Sequence, residues 1–198
     1  MNAKKMNAIV LAGGASRRMG RNKALLQYNG ITAIERLIVL LERIVNKVIV
    51  VGREDTDYSF VSKQIVYDMY HGFGPLAGIH AGLMHSDTEV NLVIAVDMPF
   101  VDRDVITFLA HSYKDENALI PKIDNRLQPL FALYHRRIFP SIEQSISNQE
   151  LSMQLFITKI NGKILLEEDF PFKAIWLNRV FSNTNYPEEY EIVRSLVQ

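Results

Sequence analysis

The chain has 198 residues, is 48% hydrophobic and 22% charged, and sets 22 Lys+Arg against 22 Asp+Glu. That size and composition support one domain with a sizeable core and exclude a disordered tail, while the balanced charge argues against a surface that tracks nucleic acid. With no cysteine there is no disulfide scaffold, Cys-ligated zinc site, iron–sulfur cluster or thiol catalysis.

Asn7–Leu11 reads as a buried strand, followed by a Gly-rich loop over Ala12–Gly20. The apolar run Ala8–Ala12 is too short for a signal-peptide core. Thr32 and Glu35 form a T-x-x-E capping box, which predicts a helix over Ala33–Val45. Its greasiest stretch, Leu37–Leu41, is closed by Arg36 and Glu42, so no segment spans a bilayer and the expected location is cytoplasmic. Lys47–Val51 reads as the second strand, Gln64–Tyr67 as a third, and Asn91–Val96 as a fourth. Between the last two, Gly74-Pro75 opens a helix over Leu76–His85. Continuously apolar strands alternating with helices predict an α/β fold with a parallel sheet covered on both faces.

Further on, Ala118–Ile123 and Gln128–Leu133 read as strands around an Asp124-Asn125 turn. Ile138–Ser147 and Glu150–Ile160 read as helices, Lys163–Leu166 as a strand, and Pro187-Glu188-Glu189 opens a C-terminal helix. No repeat or linker-like stretch divides the chain, which reads as one domain.

The neutral total hides an asymmetry. Met1–Ile34 holds six bases and no acid, and the remaining residues hold 16 bases and 22 acids. Arg17, Arg18, Arg21 and Lys23 crowd into seven residues. Like charges in contact repel by roughly 1 kcal/mol per pair even in water, so the cluster suits a small anion.

Ligands of open parallel sheets bind beyond the carboxyl ends of the strands, and the candidate residues stand there. In Leu11-Ala12-Gly13-Gly14-Ala15-Ser16-Arg17-Arg18-Met19-Gly20, the glycines let backbone approach a phosphate. The spacing is neither G-x-G-x-x-G nor a Walker loop, and Ser16 is no nucleophile elbow, because arginines follow it. Asp97, just past a buried strand and before Met98-Pro99, is placed to coordinate Mg²⁺. Asp68 ends the third strand in the same manner. Gly72-Phe73-Gly74-Pro75-Leu76-Ala77-Gly78 is a tight loop into a helix N-terminus. His80 and His85 lack metal-binding spacing, Glu167-Glu168-Asp169 reads as a solvated turn, and Trp176 reads as core.

Three sets of these residues carry a family resemblance. Leu11-Ala12-Gly13-Gly14-x-Ser16-x-Arg18-Met19-Gly20-x-x-Lys23 resembles the N-terminal signature of nucleotidyltransferases. Gly74-Pro75-Leu76-Ala77-Gly78 and Asp97-Met98-Pro99-Phe100 narrow it. Gln128-Pro129-Leu130-x-Ala132-Leu133-Tyr134 and Asn183-x-Asn185-x-Pro187-Glu188-Glu189 narrow it to the molybdenum cofactor guanylyltransferases, the MobA family. The resemblance runs from about residue 7 to residue 190. It implies a Rossmann-like three-layer sandwich with a mostly parallel central sheet flanked by helices. It also implies transfer of GMP from GTP to molybdenum-molybdopterin, with Mg²⁺, giving the guanine dinucleotide cofactor and pyrophosphate.

Under the resemblance the N-terminal part binds GTP and the C-terminal part molybdopterin. Leu11, Ala12, Gly13 and Gly14 would contact the nucleotide through backbone, Lys23 its phosphates, Asp68 the nucleotide, and Asp97 both magnesium and GTP. Arg18 and Lys23 would supply positive charge for in-line attack on the α-phosphate, with Asp97 as their catalytic companion. Gly78, Gln128, Asn183 and Asn185 would lie near molybdopterin. Molybdoenzyme chaperones or cofactor-insertion proteins would be partners; nucleic acid and membrane would not. Two residues depart from the family pattern: Asn22 stands where many members have Asp, and Val51 where some have an Asn that contacts GTP. The residues alone leave open a cytidylyl or sugar-phosphate nucleotidyltransferase, and more distantly a non-enzymatic cofactor carrier.

Overall fold

The computed structural model describes residues 1–14, 22–70 and 72–196. Its strands are β1 (Asn7–Leu11), β2 (Gln27–Tyr28), β3 (Ile31–Thr32), β4 (Val48–Gly52), β5 (Gln64–Tyr67), β6 (Val90–Ala95), β7 (Ala118–Ile123), β8 (Arg126–Leu127), β9 (Phe131–His135) and β10 (Lys163–Leu166). The helices are α1 (Ala33–Glu42), α2 (Gly74–Met84), α3 (Arg103–Ser112), α4 (Phe139–Ser147), α5 (Met153–Lys159), α6 (Ala174–Val180) and α7 (Pro187–Leu196). The main sheet runs β10-β7-β9-β6-β1-β4-β5, with β8 hydrogen-bonded to β7. β6, β1, β4 and β5 are mutually parallel, and β9 is antiparallel to both β6 and β7. The mostly parallel sheet expected from the sequence is present.

Period-two alternation along the central strands divides the core. Ala8 and Val10 of β1, Val50 of β4, and Leu92 and Ile94 of β6 face one layer with Leu37 of α1, Leu109 of α3 and Leu177 of α6. Ile9, Ile49 and Val93 face the other, with Ile79 of α2, Ile142 of α4 and Phe156 of α5. Because both faces are covered, the strands carry no polar face, which is why they read as unbroken apolar runs.

Local signals are realised where they were strong. Thr32 and Glu35 form the reciprocal capping box of α1, which ends at Glu42, short of Val45. Asp124 and Asn125 both adopt positive φ in the β7–β8 turn. Two expectations are corrected. The Gln128–Leu133 strand is displaced to Phe131–His135, because Phe131 N–H bonds back to Gln128 O and turns the chain before the strand begins. Trp176 is 42% exposed, since α6 buries only Leu177 and Val180. The β2–β3 hairpin and α6 were not read from sequence, and α3 was read only as a helix near Asp102, without bounds. Yet Asn29-Gly30, both at positive φ, is a hairpin-turn dipeptide, and Asp102 caps α3 by accepting from Asp104 and Val105 N–H.

The amino ends of β1 and β6 are locked by a buried polar network. Asn7 donates to Ser86 Oγ and Asp87 Oδ1 at 2.9 and 2.7 Å and accepts from Asn46 at 3.0 Å. Among the described residues, no helix is long and apolar enough to cross a membrane.

α2 lies against β1 through glycine. A Cβ on Gly82 would overlap Ile9 Cγ2. Alanine gains at most about 1 kcal/mol of helix propensity over glycine, whereas overpacking a core costs about 1–3 kcal/mol. Gly82→Ala is therefore expected to lower the unfolding free energy by about 1 kcal/mol or more, measured by urea denaturation.

Candidate active site

The order β6-β1-β4-β5 places β4 and β5 on one side of β1 and the later strand β6 on the other. Such a reversal opens a crevice at the carboxyl ends of β1 and β6. Ala12 leaves β1 there and Asp97 stands two residues past β6.

Lys23 is carried to this crevice by a short 3₁₀ turn, Lys23–Leu25, that Asn22 caps by accepting from Ala24 N–H at 3.0 Å. The Asn22 amide donates to Thr56 Oγ1 at 3.0 Å, so the departure at this position has a structural task. From the turn, Lys23 Nζ donates to Asp97 Oδ2 at 2.7 Å and to Asn185 Oδ1 at 2.8 Å. The lysine and aspartate side chains are only 16% and 17% exposed. Asp97 Oδ1 is buried with no hydrogen-bond partner among the described residues.

Asn185 is held by the C-terminal segment. Thr184 N–H donates to Asp97 O at 2.8 Å, and Glu189 Oε2 accepts from Asn185 and Tyr186 N–H. Tyr190 then fastens α7 to the hairpin, donating to Gln27 O at 2.6 Å and meeting the Tyr28 ring edge-on at 5.4 Å.

The glycine loop begins bound to the sheet. Val96 N–H donates to Leu11 O at 3.1 Å and Ala12 N–H to Val51 O at 2.8 Å. Tyr58 OH reaches Ala12 O at 3.4 Å, its ring packed where a Gly52 Cβ would be. Gly13 is thus the first residue of the loop without a backbone bond to the sheet among the described residues. A Cβ there would come within 3.3 Å of Gly52 O, so the glycine lets the loop lie on the end of β4. A Cβ on Gly14 would meet nothing within 4 Å. Arg18 lies outside the described residues, as does the rest of 15–21.

The other sequence candidates divide. Asp68 ends β5, half-buried, with β1 and β4 between it and the Asp97 strand, about 14 Å of sheet at ordinary strand spacing, so the two carboxylates do not share one ion. Gly78 is buried in α2, where a Cβ would stand 3.0 Å from Leu11 Cδ2; it packs the helix beneath β1. Gln128 is half-buried and donates its N–H to Pro121 O, next to Leu130, whose carbonyl accepts Ala95 N–H at the end of β6. Asn183 is exposed, two residues before Asn185. Val51 offers only its carbonyl, already taken by Ala12. The Asn185–Lys23 bond was missed in the sequence; no local signal joins residues 162 apart.

Comparison with known proteins identifies the family. Residues 8–161 match the model of the MobA-like NTP transferase domain. The chain belongs to that family. It is 37% identical over 191 residues to a "Probable molybdenum cofactor guanylyltransferase" of Clostridium perfringens, covering 94% of this chain and 95% of the relative. A relative of the same name from Bacillus mycoides is 34% identical, with 94% of each chain covered. Among solved structures, molybdopterin-guanine dinucleotide biosynthesis protein A from Archaeoglobus fulgidus is similar, with TM-score 0.81 and 28% identity over 96% of this chain and 98% of that one. A 2-C-methyl-D-erythritol 4-phosphate cytidylyltransferase from Thermus thermophilus shares the fold at TM-score 0.72 and 14% identity, over 100% and 99% of the chains. The MobA-like fold thus extends to transferases that differ in the base they carry.

His80 serves packing. His80 is buried in α2, stacked on Phe139 at 4.4 Å and edge-on to Tyr70 at 5.2 Å, while His85 Nδ1 bonds Ala81 O. Burial depresses the His80 pKa, with Glu143 at 3.7 Å partly offsetting it. The neutral ring is therefore the folded form, and the unfolded chain binds the extra proton as pH falls below the ordinary value of 6.5. Stability is full above that value and is lost below it until the depressed folded value is passed. Urea midpoints should fall as pH drops below 6.5, and His80→Leu should flatten that fall, leaving the contribution of buried His135, whose pKa is also lowered chiefly by burial.

Proposed function

We propose that the chain transfers GMP from GTP to molybdenum-molybdopterin, forming the guanine dinucleotide cofactor and pyrophosphate. The observation that carries this reading is Lys23 held between Asp97 and Asn185 at the sheet's reversal point, in a MobA-like fold.

The terminal phosphate of molybdopterin is already a nucleophile. Its oxygen bonds to the GTP α-phosphorus as the bond to the bridging oxygen of pyrophosphate breaks, so no covalent enzyme intermediate is needed. The protein's work is to align two anions and offset their charge. Lys23 has three N–H donors and can keep one acceptor while turning another donor to a phosphate. Gly13 supplies close backbone approach, with Leu11, Ala12 and Gly14 shaping the same loop, and Asp68 contacts the nucleotide farther along the sheet. Arg18 is assigned from its place in the motif alone.

Mg²⁺ fits Asp97, because a buried carboxylate oxygen without a hydrogen-bond partner suits a hard cation. When bound, the ion offsets charge on the phosphates as a Lewis acid. Among the described residues no cluster of three or more metal-binding side chains exists, which suits an ion completed by water and substrate oxygens.

The N-terminal part, with β1, β4 and β5, holds GTP. Molybdopterin lies toward Gln128, Asn183 and Asn185, with Gly78 acting through its packing under Leu11. Handover of the product to molybdoenzyme chaperones or cofactor-insertion proteins follows from the same reading.

Incubation with GTP, Mg²⁺ and molybdopterin should release pyrophosphate and yield the dinucleotide, and CTP, ATP and UTP should not replace GTP. Asp97→Ala should cut turnover by about 100-fold or more while leaving the circular dichroism spectrum unchanged. Wild-type turnover in that variant at saturating Mg²⁺ and GTP would sink the assignment.

A further inference from the structure

Guanylyl transfer, if the reading above is right, requires a group that tells guanine from the other bases. The loop backbone offers little: Ala12 N–H, Ala12 O and Leu11 O are already bonded within the protein. Val51, at the end of β4, has no polar side chain.

The sheet order says where the base must lie. Lys23 and Asp97 hold the charged end over β6, so a nucleotide laid across Gly13 carries its base toward the ends of β4 and β5. There Gly52 has no side chain and Tyr58 packs against it. The next residue is Arg53. Its Cγ stands 3.6 Å from where a Gly13 Cβ would be, so the arginine stem walls the glycine loop.

Its guanidinium is oriented by one neighbour. Asp55 accepts from Nε at 2.8 Å and from Nη2 at 2.5 Å, a side-on grip that takes two of the five N–H donors. The outer edge, formed by Nη1 and the second Nη2 hydrogen, has no partner among the described residues. A planar fork of two donors matches two adjacent acceptors. Guanine presents such a pair in O6 and N7; adenine puts a donor beside N7, and pyrimidines lack the pair.

We propose that Arg53 selects guanine by donating from its outer edge to O6 and N7, with Asp55 as the positioning residue that aims it. A contact to phosphate would serve every nucleotide alike; a contact to O6 and N7 serves one base.

The test is nucleotide binding to the full chain with Mg²⁺, titrated for GTP, ATP and 7-deaza-GTP, which lacks only the N7 acceptor. The wild-type protein should prefer GTP to 7-deaza-GTP by about tenfold. Arg53→Ala should bring that ratio to about one, and Arg53→Lys, which keeps the charge without the fork, should not restore it. Asp55→Ala should shrink the ratio less and add nothing to Arg53→Ala. Thermal unfolding of each variant shows that it remains folded.

Wild-type preference for GTP with an unchanged ratio in Arg53→Ala would overturn this inference and leave guanylyl transfer standing. A uniform loss of affinity for all three nucleotides would also overturn it, by assigning Arg53 to the phosphates. Equal wild-type binding of all nucleotides would overturn the guanylyl reading, and this inference with it.

Discussion

One ammonium group ties together the residues to which the proposed chemistry is assigned. Lys23 bonds a carboxylate 74 residues away and an amide 162 residues away. The charges are largely withdrawn from water, and each is satisfied chiefly by the other. Removing one partner from such a pair strands the remaining charge. A substrate that displaces the pair must therefore replace both halves, with an anion for the lysine and a cation for the aspartate. A magnesium-bound polyphosphate is that combination. The resting geometry is complementary in charge to such a ligand.

The two ends of the sheet handle polarity in opposite ways. At the amino end, Asn7, Ser86, Asn91 and Thr88 exchange hydrogen bonds until the buried amides are satisfied. At the carboxyl end, Asp97 Oδ1 is buried without a hydrogen-bond partner among the described residues. Closed networks give rigidity and specify the fold, whereas the unfilled oxygen of Asp97 leaves bonding capacity at the proposed ion site. The same strands, β1 and β6, carry both ends. The locked amino end fixes the register that brings Leu11 beside Ala95.

Much of the fold was legible because its signals are local. β1, β5, β7 and β10 coincide with their apolar runs, and the α1 cap is a four-residue pattern. The displaced β9 is instructive: Gln128-Pro129-Leu130 continues an apolar pattern, but backbone bonds from Phe131 to Gln128 and from Gln128 to Pro121 bend it away from a ladder. α6 escaped notice because burial of only two residues leaves no amphipathic stripe. At the site, Asp97 and Lys23 stood out through their motifs, but their contact depends on sheet order, and Asn185 on how α7 docks. Asn22 likewise gained its meaning only when Ala24 and Thr56 were seen around it.

The docking of α7 has a consequence for how the enzyme comes into being. A chain leaves the ribosome from its amino end, so Lys23 and Asp97 emerge and can pair long before Asn185 and Tyr190 exist. The sheet has all its strands once residue 166 is made, yet the cradle around Lys23 lacks one wall until the last segment folds back. Docking of the segment that bears Asn185 and Tyr190 is the event that finishes the lysine's surroundings.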